Sequence, residues 1–214
     1  MIYSVIGGGL MPEILREEYL KVLASIYYYL VKRREADIEI DSILDELGIE
    51  RDTLADDVKY LINERYIEGQ ILLGNPSTRI ADFRVHGLTN NGRNIIENPF
   101  NFSNINSISN FNTNIINAGS ITGSVLNQTN VSNISSENIN IIEKQIDSLV
   151  ELVSEEQLKN EIEDSREDLK KGNFGAFKEK IRRFYNDATR AIDGLQKFAT
   201  LVLTIASIAR SIPH

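Results

Sequence analysis

Apolar residues recur at three- and four-residue intervals between Glu13 and Arg34. Leu15, Tyr19, Val22, Leu23, Ile26, Tyr27 and Leu30 form one stripe, and Glu17, Glu18, Lys21 and Lys32 fall off it. That period predicts an amphipathic helix. Tyr27, Tyr28 and Tyr29 are consecutive and cannot all face one side, so at least one is expected to meet solvent or a partner. Ile38 and Ile40 suggest a very short strand, after which Asp41 is placed to cap a helix through Leu47 that Gly48 ends. A second helix, from near Arg51, is expected to bury Leu54, Val58, Leu61 and Ile62. Two helices divided by Leu47-Gly48-Ile49 make a helix-turn-helix pattern. Gln70–Leu73 and Arg79–Val85 then read as paired strands, a wing, around the turn signal Gly74-Asn75-Pro76-Ser77. Thr89 or Asn90 caps a short helix carrying Ile95 and Ile96, which Pro99 stops.

The pattern changes abruptly after Asn98. Between 98 and 142 asparagine and serine dominate and Glu137 is the single formal charge. Phe111, Ile116, Ile121, Leu126 and Val131 recur every five residues, with the small or polar Asn114, Gly119, Ser124 and Thr129 two places before the last four. The spacing resembles a pentapeptide β-solenoid, here of about one turn. Two or three looser β-strands, or a polar segment without fixed structure, are the other readings. Either β reading leaves open edges that a second copy of the segment would cover, so these five residues are candidates for self-association.

Helical periodicity returns from Ser136 or Asn138 to about Val153, with Ile142, Ile146, Leu149, Val150 and Val153 on one stripe. Leu158, Ile162 and Leu169 mark a more charged helix ending at Gly172-Asn173. A long final helix from Phe174, with a kink expected at Gly194, follows. From Phe198 to Ala209 it carries no charge, and its apolar surface spreads around the axis, so it should be enclosed on several sides. Phe198, Val202, Ile205 and Ala209 are therefore further candidates for self-association, with burial inside a helical bundle the other way to enclose them. The stretch spans about 18 Å at 1.5 Å per residue, short of the roughly 30 Å bilayer core. Membrane insertion, as by a toxin, is a lesser alternative. The expected fold is thus α+β: a winged helix-turn-helix at 13–98, an Asn/Ser-rich β segment at 99–136 and a helical hairpin or bundle at 137–214 that drives oligomerisation.

Composition narrows the functions. The 214 residues are 42% hydrophobic, enough for a sizeable core, and 31 acidic against 23 basic side chains give a net charge of −8. That balance disfavours a protein that coats nucleic acid, since phosphate neutralisation needs a local excess of Lys and Arg. There is no cysteine, which removes disulfides, thiolate catalysis and Cys-ligated zinc. The start lacks the basic region and long apolar core of a secretory signal, so a cytoplasmic location is expected. Gly7, Gly8 and Gly9 lack the Gly-Lys-Ser/Thr ending of a phosphate loop. His86 and His214 are the two histidines, and neither sits in a metal-ligand spacing. No catalytic, cofactor-binding or metal-ligating set is expected, and the reading is of a protein that is not an enzyme.

The segments LGIERDTLADDVKYLINERYIEG and FRVHGLTNNGRNIIEN, with the long first helix, resemble the winged-helix superfamily and within it the small phage-associated YjcQ-like proteins. In those proteins a strand leads into Thr-x-x-Gly and an apolar–apolar–Glu–Asn helix, matched here by Thr89, Gly92, Ile95, Ile96, Glu97 and Asn98. The tail from Leu158 through Lys171-Gly172-Asn173 to the apolar end is similar to the endings of bacterial phage-defence and abortive-infection proteins. The resemblance implies either a protein-contacting or a DNA-binding winged helix, in a defence or stress setting. Candidate nucleic-acid contacts are Arg51, Lys59 and Asn63 on the second helix, Arg79 and Arg84 on the wing and Arg93 beyond it, but Asp52, Asp56 and Asp57 share the second helix and repel phosphate. A homo-oligomeric adaptor with a protein partner is the expected role, and a DNA-binding transcriptional regulator the alternative.

Overall fold

The computed structural model describes residues 15–35, 38, 40–72, 82–100 and 134–212. It shows a mostly helical domain: a helix-turn-helix-like arrangement first, a small two-stranded antiparallel sheet next, and a helical bundle last. The leader, the turn at 74–77 with Arg79, and the five-residue repeat carrying Phe111, Ile116, Ile121, Leu126 and Val131 lie outside the described residues.

Helix α1, Glu17–Tyr27, buries Leu20, Val22, Leu23, Ala24, Ser25 and Ile26, which is too many directions for a surface helix. It is enclosed because it packs on three other helices, α3 (Arg51–Asn63), α4 (Asn90–Glu97) and α8 (Leu195–Ser211). It continues as a π-helical turn, Tyr28–Lys32, where Arg33 N donates to Tyr28 O at 3.0 Å. The expected strand at Ile38 and Ile40 does not form. Ile40 instead opens α2, Ile40–Leu47, whose Ile43 and Leu47 are buried in the core. Gly48, at φ 62°, ends α2 as expected, in the left-handed region that glycine enters freely. Helix α3, Arg51–Asn63, buries Leu54, Val58 and Leu61 as its spacing predicts, and also Ala55 and Asp57.

Strands β1, Ile67–Leu72, and β2, Asp82–Leu88, pair antiparallel, with an irregularity between Glu68 and Gly69. β1 starts three residues before its expected start and overlaps the expected strand to Leu72, and β2 lies three residues beyond its expected place. Phe83 and Val85 point into the core while Arg84 and His86 are exposed, and that alternation fixes the register. Helix α4, Asn90–Glu97, explains the Thr-x-x-Gly motif physically. The Thr89 hydroxyl lies 3.0 Å from Tyr66 O and 2.7 Å from Arg65 O, and accepts from Gly92 N at 3.1 Å. A Cβ on Gly92 would lie 2.0 Å from Tyr66 O, so only glycine lets α4 lie against the exit of α3.

The bundle comprises α5 (Ser136–Leu152), α6 (Glu156–Lys170), α7 (Phe174–Ala191) and α8 (Leu195–Ser211). Ser135, rather than Ser136 or Asn138, caps α5 by accepting from Asn138 N at 3.2 Å. Asn173 caps α7, just past Gly172 at φ 71°. The expected long final helix is two helices: Ile192 and Asp193 leave the α-helix and Gly194, at φ 96°, restarts it. Phe198, Val202, Ile205 and Ala209 are all 0% exposed within the single chain. Helices α1, α2, α5 and α7 supply the enclosure that the apolar tail demands, so these four positions are spent inside one copy rather than held for a second. The regions 13–98 and 137–214 consequently share one hydrophobic core. No helix among the described residues is long and apolar enough to cross a membrane.

Candidate functional site

The outward side of α3 is the first candidate, because it is the position from which a helix-turn-helix reads DNA. Arg51, Lys59 and Asn63 are exposed there, but so are Asp52 and Asp56, and Glu64 follows at the helix end. The candidate residues beyond α3 are spread over other elements. Arg84 is exposed on β2, and Arg93 lies on α4, where its guanidinium meets Glu97 at 3.6 Å. Three carboxylates against two cations along α3 give the approaching surface the wrong sign for phosphate.

Asp57 was expected among the charges repelling phosphate, yet it turns inward. It is 6% exposed, and its Oδ2 has no hydrogen-bond partner. Burial pushes its carboxyl up to about 6, and the Glu18 and Asp56 carboxylates add to the rise. Next to it the Tyr19 and Tyr60 rings stack across the α1–α3 contact, 4.0 Å between centroids and 13° from parallel. The sequence signal was available in part: Asp57 falls between Leu54, Val58 and Leu61 on the helical wheel, at the edge of the apolar arc.

The second candidate is a cleft of about 380 Å³ where the π turn, α4, α7 and α8 meet. Tyr27 and Phe198 stack there, 5.9 Å between centroids and 4° from parallel. Tyr27 Oη donates to Glu97 Oε1 at 3.1 Å, and Tyr185 Oη donates to Ile96 O at 2.5 Å, joining α4 to both halves of the chain. Lys32 Nζ donates to Thr189 O and, at 3.0 Å, to Ile192 O, and lies 5.5 Å from the Phe198 ring centre. It thereby satisfies carbonyls at the end of α7 that the helix leaves open. Tyr28 Oη donates to Asp193 Oδ1 and accepts from Gly194 N, both at 2.9 Å.

The electrostatics suit holding rather than reacting. Burial, and then Glu97, push the Tyr27 phenol up to about 12, and burial raises Tyr185 further still. Such phenols stay protonated and act as donors. Burial lowers Lys32, with Asp193 opposing, but its protons are committed to the α7 carbonyls. The Tyr28 hydrogen bond holds Asp193 below the usual carboxylate range. None of these groups is poised as a base or nucleophile. Among the described residues, no group of three or more His, Cys, Asp or Glu side chains is placed to hold a metal ion. The run of three tyrosines was visible in the sequence, but nothing in it marked Glu97 or Asp193 as their partners. No family model, curated protein or solved structure matches the chain.

Proposed function

We propose that this chain is a non-enzymatic interaction protein, a winged-helix adaptor or sensor fused to a helical bundle and working as a homo-oligomer. The observation that carries this reading is the acidic outer side of α3: Asp52, Asp56 and Glu64 surround Lys59 and Asn63 where a DNA reader needs cations. A surface of that sign suits protein contact better than phosphate contact. The oligomer rests on the five-residue repeat at 111–131, since the apolar face of α8 is already enclosed. The resemblances of the two ends of the chain support a role in bacterial phage defence or stress response.

Arg84 and His86, exposed on β2, together with Asn63 and Lys59, exposed on α3, favour a second reading as a DNA-binding regulator. A fluorescence titration with duplex DNA separates the two. Absence of binding at low salt supports the adaptor. Binding that falls steeply with salt and is lost in Arg79→Ala/Arg84→Ala supports the regulator. Light scattering of the full chain tests the oligomer: a multimer that dissociates in Ile116→Asn/Ile121→Asn is expected, and a monomer overturns that part.

A further inference from the structure

The α1–α3 contact leaves a carboxylate without a match. Asp57 is nine-tenths buried, and Oδ2 is closed to solvent yet accepts no hydrogen bond. An ionised carboxylate has about four lone-pair directions, so an unused oxygen in the interior is costly. The neighbouring charges repeat its sign. Glu18, from α1, and Asp56, from α3, stand exposed at the rim, both close enough to act on it. No cation is among the charges that act on Asp57, and the one that meets Glu18 does so at the exposed rim. Arg16 meets Glu18 at 3.8 Å with both side chains more than half exposed, and Lys21 donates to Leu47 O at 3.4 Å. The Tyr19–Tyr60 stack flanks the carboxylates: Tyr19 follows Glu18, and Tyr60 lies one turn beyond Asp56 and Asp57.

We infer that Glu18, Asp56 and Asp57 form a seat for an arginine side chain of a basic protein segment, which docks at the rim of the α1–α3 contact beside the Tyr19–Tyr60 pair. A guanidinium fits this arrangement for three reasons. Its planar fork serves two carboxylates at once, it is more weakly hydrated than an ammonium and so enters a nearly closed site, and it packs on aromatic faces. A metal ion fits worse, because these three carboxylates are not placed as a ligand set. The seat rests on the reading of the helix-turn-helix as a protein-docking element and names the chemistry of what docks.

The test titrates the full-length chain at 0.15 M salt, a physiological ionic strength, with a fluorescein-labelled peptide of alternating glycine and arginine, read by anisotropy. Saturable binding is expected, with a glycine–lysine peptide of equal charge binding more weakly. Asp57→Asn, a near-isosteric change, should weaken the arginine peptide about tenfold or more. Glu151→Gln removes an equal charge from the exposed side of α5 and should change it less than about twofold. Glu18→Gln/Asp56→Asn should weaken it too, and changes only rim residues should the interior variant misfold. No binding, equal losses at Asp57 and Glu151, a preference for lysine, or displacement by Mg²⁺ at constant ionic strength would each overturn the seat. Specific duplex-DNA binding would remove the interaction reading without altering the peptide result. Peptide binding indifferent to Asp57, with no DNA bound, would remove only the seat.

Discussion

Helix α1 packs against α8 and against α3, and the two contacts are treated oppositely. Toward α8 and the α7–α8 junction, the polar groups of the π turn are matched one by one, Tyr28 to Asp193 and Gly194 and Lys32 to the α7 carbonyls, while Tyr27 is matched by Glu97 of α4. Toward α3, an apolar contact of comparable burial encloses Asp57 with an oxygen unmatched. Satisfied polar groups at a junction fix one geometry, because each broken bond would strand a donor or acceptor away from water. An unmatched carboxylate does the reverse and leaves the folded chain less stable than its packing allows. The first junction is built to hold. The second is built with something still to gain, and the two should respond differently to substitution.

The largest effect is expected at Phe198, which is fully buried, stacks on Tyr27 and packs at a tilt against Tyr28. Phe198→Ala should cost about 3–5 kcal/mol by loss of transfer energy and creation of a cavity. Because α8 is shared by both halves, denaturation followed by near-ultraviolet tyrosine signals and by far-ultraviolet helix signals should lose stability together. A variant in which the bundle melts early while the helix-turn-helix persists would show that the two do not share a core. Tyr185→Phe comes next. It removes one oxygen, leaves Ile96 O without its donor, and should cost about 1–3 kcal/mol in chemical denaturation. A change near zero would mean that water replaces the phenol there.

Much of this fold could be read from the residues, and the failures share a cause. Thr89 as a helix cap, Gly48, Gly172 and the apolar periodicity of α3, α5 and α6 are marked within a few residues of themselves, so spacing and local chemistry reveal them, whereas the need for Gly92 comes from Tyr66, more than twenty residues earlier. The strand expected at Ile38 and Ile40 failed because a strand requires a partner edge, and the two apolar residues said nothing about whether one was there. The final helix divided at Gly194 because Tyr28 and Lys32, more than 150 residues earlier, bond the groups that a broken helix exposes. Phe198, Val202, Ile205 and Ala209 were legible as enclosed but not by what, since a helix stripe has the same form whether it faces α1 or a second copy. The partnerships in the cleft were invisible for the same reason. Asp57 was read as one more surface charge, although its helical angle already set it at the margin of the apolar arc.

The α1–α3 side predicts a pH effect of intermediate size. Asp57 titrates near 6 when folded against 3.8 unfolded, so the native chain holds that proton more tightly. Its contribution to stability is full below about pH 4 and is lost as pH rises to about 6, the reverse of a salt-bridged carboxylate. That rise would correspond to about 3 kcal/mol, and screening at the rim of the contact reduces it to about 1–2 kcal/mol. Asp57→Asn should therefore be more stable than the parent at pH 7 and lose that advantage by pH 4. Denaturation midpoints at the two pH values measure it, and parallel profiles for parent and variant would show that the carboxylate is not unmatched. The corresponding substitution at the other junction, Asp193→Asn, should destabilise at pH 7, because it weakens the acceptor of the Tyr28 phenol.

The smallest effect argued here tests whether α4 is held by its cap or by its neighbours. The Thr89 side chain accepts from Gly92 N and lies within hydrogen-bond distance of Arg65 O and Tyr66 O, all three backbone groups at the exit of α3 or the entry of α4. Thr89→Ala removes the capping acceptor, and caps of this kind are worth about 1 kcal/mol. The Tyr185 and Tyr27 bonds hold the other end of α4, at Ile96 and Glu97, so the helix should remain docked while its first turn loosens. Hydrogen exchange should quicken at Gly92 and Arg93 and stay slow at Ile96, with Thr89→Ser restoring the parent behaviour. Faster exchange along the whole of α4 would mean that the cap, rather than the tyrosines of the matched junction, carries the helix.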